Sequence, residues 1–177
     1  MELPEKIEAA LASYLRAQVQ VALDAETLPA YFDPATQVQP GESDADITAQ
    51  LLRAVAGDAD QEHPQFTGNF WFPIMVEVLT PVAAQTADES VSEDPSVSVS
   101  QINKHRALAA ILETAIMVDN LPALLMDYAA ALGADNAFTV FGILDRLPQR
   151  NQSANLYQSG FTFRLYACSS AFPDPVT

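Results

Sequence analysis

The sequence predicts an α+β domain, with a largely antiparallel four-stranded sheet packed on one face by two or three helices. The predicted order is helix, hairpin, one or two helices, hairpin. Three observations carry this. Phe70, Phe72, Ile74, Val76 and Val78 recur at every second position of the stretch 68–80, the period of a strand laid against a core. Ile7, Leu11, Tyr14, Leu15 and Val19 fall at three- and four-residue spacing, the apolar face of a helix over 4–22. Two further β-rich runs, 138–144 and 161–168, close the chain.

The first helix has consistent start signals. Pro4 suits a first turn, Glu2, Glu5 and Glu8 complement the positive end of the helix dipole, and Arg16 sits toward its other end. Residues 24–48 then hold six acidic residues, no Lys or Arg, and prolines at 29, 34 and 40. They predict an extended segment, turning at Pro40-Gly41 and pinned by Leu28, Tyr31 and Phe32. Residues 47–56 suit either a short helix or a strand. The strand is preferred because, returning through 57–64, it supplies the 68–80 strand with an antiparallel partner.

The other face of that central strand carries Trp71, Pro73, Met75, Glu77 and Leu79, a mixed rather than wet surface. Proline cannot donate a ladder hydrogen bond, so Pro73 implies an edge strand, a bulge, or a side that meets something other than a sheet partner. An apolar outer face on an edge strand suits an assembly.

Residues 81–100 are acidic and Pro/Ser-rich with no aromatic or basic residue, and are expected to form a mobile loop. The alternation at Val97-Ser-Val99 could make a strand against another chain. Ser100 is the expected N-cap of a helix over 101–118, lined by Ile102, Leu108, Leu112, Ala115 and Ile116. Asp119-Asn120 interrupts it. Leu121, Leu124, Leu125, Tyr128 and Leu132 continue to a C-terminal Gly133, so two helices in an L and one kinked helix fit equally. In the last strand Phe161, Phe163, Leu165 and Ala167 share one side, and Thr162, Arg164, Tyr166 and Cys168 the other. The polar stretch 145–159 between the last two strands is expected to be a loop.

Composition bounds the function. The chain of 177 residues is sized for one domain, and 49% hydrophobic residues can fill its core. No apolar run approaches the roughly 18 residues of a membrane span, and no basic segment followed by an apolar run marks a secretory signal at the N-terminus. The single cysteine, Cys168, excludes an internal disulfide, fits a reducing compartment and is expected to be buried. Eight Lys+Arg against 23 Asp+Glu give a formal net charge of −15, a field that repels nucleic acid from most of the surface. Solubility accounts for such a charge, and so does a surface that faces DNA without holding it.

No catalytic, cofactor or metal site is expected. G-x-S-x-G and H-E-x-x-H are absent. Asp58, Asp60, Glu62 and His63 resemble the start of a calcium loop but lack its glycine at the sixth position and its closing glutamate. The sequon at Asn151-Gln-Ser153 has no meaning without secretion. The expected contact residues are Trp71, Pro73, Met75 and Glu77 on the strand, with His105 and Arg106 on the helix and Arg146, Arg150 and Arg164 about the last hairpin. His105 and Arg106 could meet an acidic partner or form an ordinary polar face. The arginines could pair across an interface or stay as weak surface pairs. Trp71 is taken as an interface anchor, Phe70 and Phe72 as core.

Pattern and order together resemble the tail terminator and tail-completion proteins of long-tailed bacteriophages, and more loosely the head–tail connector proteins that share their fold. The resemblance rests on the helix Ile7–Val19, on Val55-Ala-Gly-Asp58 leading into the 68–78 strand, and on His105-Arg106 at the head of the helix 107–118. Tyr157-Gln-Ser-Gly-Phe-Thr-Phe-Arg-Leu-Tyr-Ala-Cys168 completes it. It covers most of the chain beyond 24–48, with no signature motif.

The resemblance implies copies of the chain assembled as a ring, usually a hexamer, on the last ring of a tail tube. Such a protein is made in the host cytoplasm and ends in the virion, meeting tube and neck or connector proteins while DNA passes without specific binding. The Pro73 edge and the loops 81–100 and 145–159 are then the expected subunit contacts. The alternative is a cytosolic binding module or small enzyme with a ligand between sheet and helices.

Overall fold

The computed structural model describes residues 2–28, 32–42, 47–59, 61–62, 66–67, 69–81, 95–152, 156–169 and 174–175. The expectations for Tyr31, the tail at 170–173 and most of the 81–100 loop lie outside those residues. Helix α1 (Leu3–Asp24) forms where its periodicity requires, with the Glu2 N–H donating to Glu5 Oε2 at 3.0 Å. Ile7, Leu11, Tyr14, Leu15 and Val19 are all buried.

The segment after it is more structured than its composition suggests. A one-turn helix α2 (Pro34–Gln37), capped by the Asp33 carboxylate, leads into strand β1 (Val38–Pro40). Leu28 and Phe32 are buried and pin the segment, as expected. The turn at Gly41 has φ +80, and its N–H donates to Ala54 O at 2.7 Å. Arg16 holds Val38 O with two hydrogen bonds, at 2.7 and 3.0 Å.

Residues 47–56 resolve as strand β2 (Leu51–Ala56), which alternates half-buried and buried side chains. The short β3 (Gln61–Glu62) and β4 (Phe66–Thr67) precede the long β5 (Asn69–Pro81). Helix α3 (Pro95–Ile116) begins well before Ser100, so Ser100 and Val97-Ser-Val99 are helical, not a cap or a strand. Its start signal is Pro95, a proline in the first turn. Helix α4 (Leu121–Ala131) follows at 98°, so the L is correct. Gly133, at φ +126, ends it and leads into a single 3₁₀ turn. Strands β6 (Thr139–Gln152) and β7 (Leu156–Cys168) form a long hairpin, and β8 (Asp174–Pro175) pairs with β4.

The main sheet runs β1-β2-β5-β7-β6, with β3 also pairing β5. Five strands form the continuous path, not four. All neighbours are antiparallel except β1, which runs parallel to β2. The sheet gains this strand from the acidic segment read as extended.

Pro73 is not on an edge, because β5 is central between β2 and β7. Its carbonyl accepts the Gly57 N–H at 2.8 Å, so its missing N–H faces the same side, where β2 has ended and β3 not begun. Gly57 makes room, since a Cβ there would stand 2.9 Å from Pro73 Cγ. Residues 145–159 also depart from expectation. They are largely strand, paired from Leu147↔Thr162 to Gln152↔Tyr157, with irregularities between Val140 and Gly142 and between Leu144 and Leu147.

Phe72, Ile74, Val76 and Val78 of β5 and Phe161, Phe163, Leu165 and Ala167 of β7 fill one sheet face. Helix α1 covers its β1–β2 side, and α3 covers β5 and β7. The Tyr14 hydroxyl donates to Ala115 O at 2.8 Å, and its ring packs 5.4 Å from that of Tyr128, joining α1 to both other long helices. Among the described residues no single helix is long and apolar enough to cross a membrane.

Candidate functional site

Two surfaces collect the residues singled out in the sequence. The first is the sheet face opposite the helices. Strand alternation places Trp71, Pro73 and Met75 there from β5, and the β5–β7 register sets Trp71 opposite Tyr166 and Pro73 opposite Arg164. The Trp71 and Tyr166 rings stack at 4.9 Å and 26°. Phe141 meets Tyr166 at 5.1 Å, and the Arg164 guanidinium lies 5.2 Å over the Trp71 ring.

Phe141, Leu144 and Leu147 of β6 extend this face and are 45%, 48% and 54% exposed. A shallow groove of about 490 Å³ crosses it, lined among others by Val55, Pro73, Met75 and Leu147. The face is therefore an aromatic and aliphatic plane, with a cation stacked on it.

Glu77 belongs to that face by alternation but is not presented outward. Its carboxylate is 2% exposed, takes the Arg53 Nε at 2.6 Å from the directly paired strand position, and accepts from the Gln158 amide. A paired, buried carboxylate has no surface left to offer a partner.

The second surface is a groove of about 650 Å³ between α3 and the β6–β7 hairpin, which Arg106, Arg146 and Arg150 line together. The three side chains have different roles. Arg146 donates to Ile116 O at 3.0 Å and Val118 O at 2.7 Å, satisfying carbonyls left over where α3 ends. Arg106 and Arg150 are exposed.

His105 departs from both of its expected roles. It is 8% exposed and forms the groove's floor, with Nδ1 2.7 Å from Thr80 Oγ1 and Nε2 2.8 Å from Ser159 Oγ. Gln50 Nε2 donates to that same Thr80 oxygen at 2.8 Å. With the ring hydrogen on Nε2, His105 donates to Ser159 Oγ and Nδ1 accepts from the Thr80 hydroxyl; with it on Nδ1 the two roles reverse. Burial holds the His105 pKa below the usual imidazole value. The hydrogen-bonded chain Gln50–Thr80–His105–Ser159 ties α3 to β5 and β7.

Of the acidic quartet considered for a metal, Asp60 and His63 lie outside the described residues, and Asp58 is exposed. Among the described residues no group of three or more His, Cys, Asp or Glu is placed to hold an ion. Cys168 is buried in β7.

Tyr166, Phe141, Leu144, Leu147 and Ser159 did not stand out in the sequence as parts of a site. The alternation of β7 does place Tyr166 beside Arg164, a usable signal. The β6 residues gave none, because the register irregularities break their period.

No protein-family model, curated protein or solved structure matches the chain.

Proposed function

We propose that this chain is a structural virion protein, a ring-forming tail terminator or tail-completion component. It caps the tail tube and joins it to the head while leaving a conduit for DNA. The observation that carries the reading is the sheet face that no described helix covers, where the Trp71–Tyr166–Phe141 stack continues into exposed Leu144 and Leu147. Large contiguous apolar patches on a surface mark association sites, and aromatic residues with arginine are the usual anchors. The resemblance in pattern and order supplies the biological setting, and the net charge of −15 suits a bore through which DNA slides unheld.

The test is electron microscopy of purified particles from the source, with this chain located in the map. A closed ring at the head-proximal end of a tail is the expected result; absence of the chain from every particle would sink the reading. A second reading, a small-ligand-binding module, draws on the 650 Å³ groove beneath Arg106 and Arg150. It requires saturable binding of a small anion that an Arg106→Ala/Arg150→Ala variant loses.

A further inference from the structure

The two terminal strands of the main sheet, β1 and β6, lie on opposite sides of it, and the segments about them differ in charge, although β1 itself (Val-Gln-Pro) has none. No basic residue occurs between Arg16 and Arg53, the run that contains β1. Within it Asp24, Glu26, Asp33 and Glu42 are all exposed. The nearby Arg16 is occupied by the Val38 carbonyl. On the far side, three of the chain's eight Lys and Arg residues line the α3–β6 groove. Glu113 lines that groove too, and Asp145 stands on β6, so the balance there is positive but not purely so. In a molecule of net charge −15, a basic groove is the exception that requires a partner of its own.

We propose that the Arg106/Arg150 groove of one copy receives the acidic β1 side of a second copy, so that subunits join head to tail across opposite sides of their sheets. This rests on the ring reading above and specifies its contact. A head-to-tail contact uses two different surfaces, so it leaves one of each free on every growing assembly, and it closes into a ring where the rotation allows. A two-fold contact would instead bring like charges together on each side, which is unfavourable. Pro40 and the brevity of β1 make it a poor partner for strand pairing, so charge rather than a shared ladder supplies the recognition.

The experiment uses the full chain and two charge-reversed variants, Arg106→Glu/Arg150→Glu and Asp24→Lys/Glu26→Lys/Glu42→Lys. All five positions are exposed, and retained wild-type circular dichroism verifies folding. Sedimentation velocity and native mass spectrometry measure self-association up to the solubility limit. The expected result is wild-type oligomers that weaken with added salt, and a loss of affinity of at least about tenfold in each variant alone. Mixing the two variants restores assembly, with the two chains alternating, because each now carries the complement of the other. Wild-type assembly that persists unchanged in both variants overturns this contact and leaves the ring reading standing. Two variants that fail alone and also fail when mixed overturn it as well. A wild-type chain that stays monomeric at every concentration overturns the contact and the ring together.

Discussion

At the scale of single residues, three positions show how a sheet face is made to close. Gly160 lies opposite Glu77, and a Cβ there would stand 2.0 Å from Val76 O and 2.7 Å from Glu77 Cα. The β5–β7 approach therefore depends on the missing side chain, and Gly160→Ala should cost about 1–3 kcal/mol, the usual range for overpacking, measured by chemical denaturation. Glu77, buried, and Arg53, half-buried, form an ion pair across β2 and β5. Removing one partner strands the other, so Glu77→Leu alone should destabilise by about 3 kcal/mol, whereas Arg53→Met/Glu77→Leu should recover most of that loss. An equal loss in the single and double variants would show that the pair itself matters little.

His105 is also a residue-scale device. Its folded pKa lies below that of the free imidazole, so on lowering pH the unfolded chain takes up the proton first. Stability from this group is complete above the usual value of 6.5 and declines as pH falls from there toward the folded pKa. His105→Gln should flatten that slope in thermal melts between pH 7 and 5, a window set by the ordinary His pKa of about 6.5. Glu8, whose pKa is raised mainly by burial, acts in the opposite sense in the window above the usual carboxylate value.

At the scale of elements, β5 and the β6–β7 hairpin explain most of the architecture. Strand β5 was legible because five alternating apolar residues leave no other period. Its central position was not, since Pro73 points locally to an edge. The contradiction disappears only when the gap between β2 and β3, and the absence of a Cβ on Gly57, lie beside the proline ring. The hairpin arms were hidden for a different reason. Asp145, Arg146, Gln149, Arg150 and Asn151 are polar because they lie on a terminal strand at the surface, and polarity without clean alternation resembles a loop. The exposed Leu144 and Leu147 on that strand lead to a specific expectation. Leu144→Lys/Leu147→Lys should leave stability within about 0.5 kcal/mol, as surface changes do, while weakening self-association in sedimentation.

At the scale of the whole molecule, charge is distributed rather than merely abundant. Acidic residues are exposed along the run that carries β1, while of the eight cations Arg16, Arg53 and Arg146 are held internally and Arg106 and Arg150 line the far groove. The self-association proposed above rests on this polarity. Association of the wild-type chain should therefore weaken as ionic strength rises, since the Debye length falls from about 10 Å at 0.1 M to about 3 Å at 1 M salt. A purely apolar contact would hold or strengthen instead.

The sequence by itself determined the α+β class, the first helix with its five buried residues, the inward face of β5, the break between α3 and α4, and the burial of Cys168. These are local properties, since period, capping and breaker residues act within a few positions of each other. Only the tertiary structure decided that β5 is central, that residues 38–40 add a parallel strand, and that Glu77, His105 and Arg146 are consumed by partners far along the chain. His105 meets Ser159, and Arg53 meets Glu77, across separations that no local pattern encodes. Which charged or polar side chains remain free for another molecule is what is left after those long-range pairings, so it becomes visible only once the fold has made them.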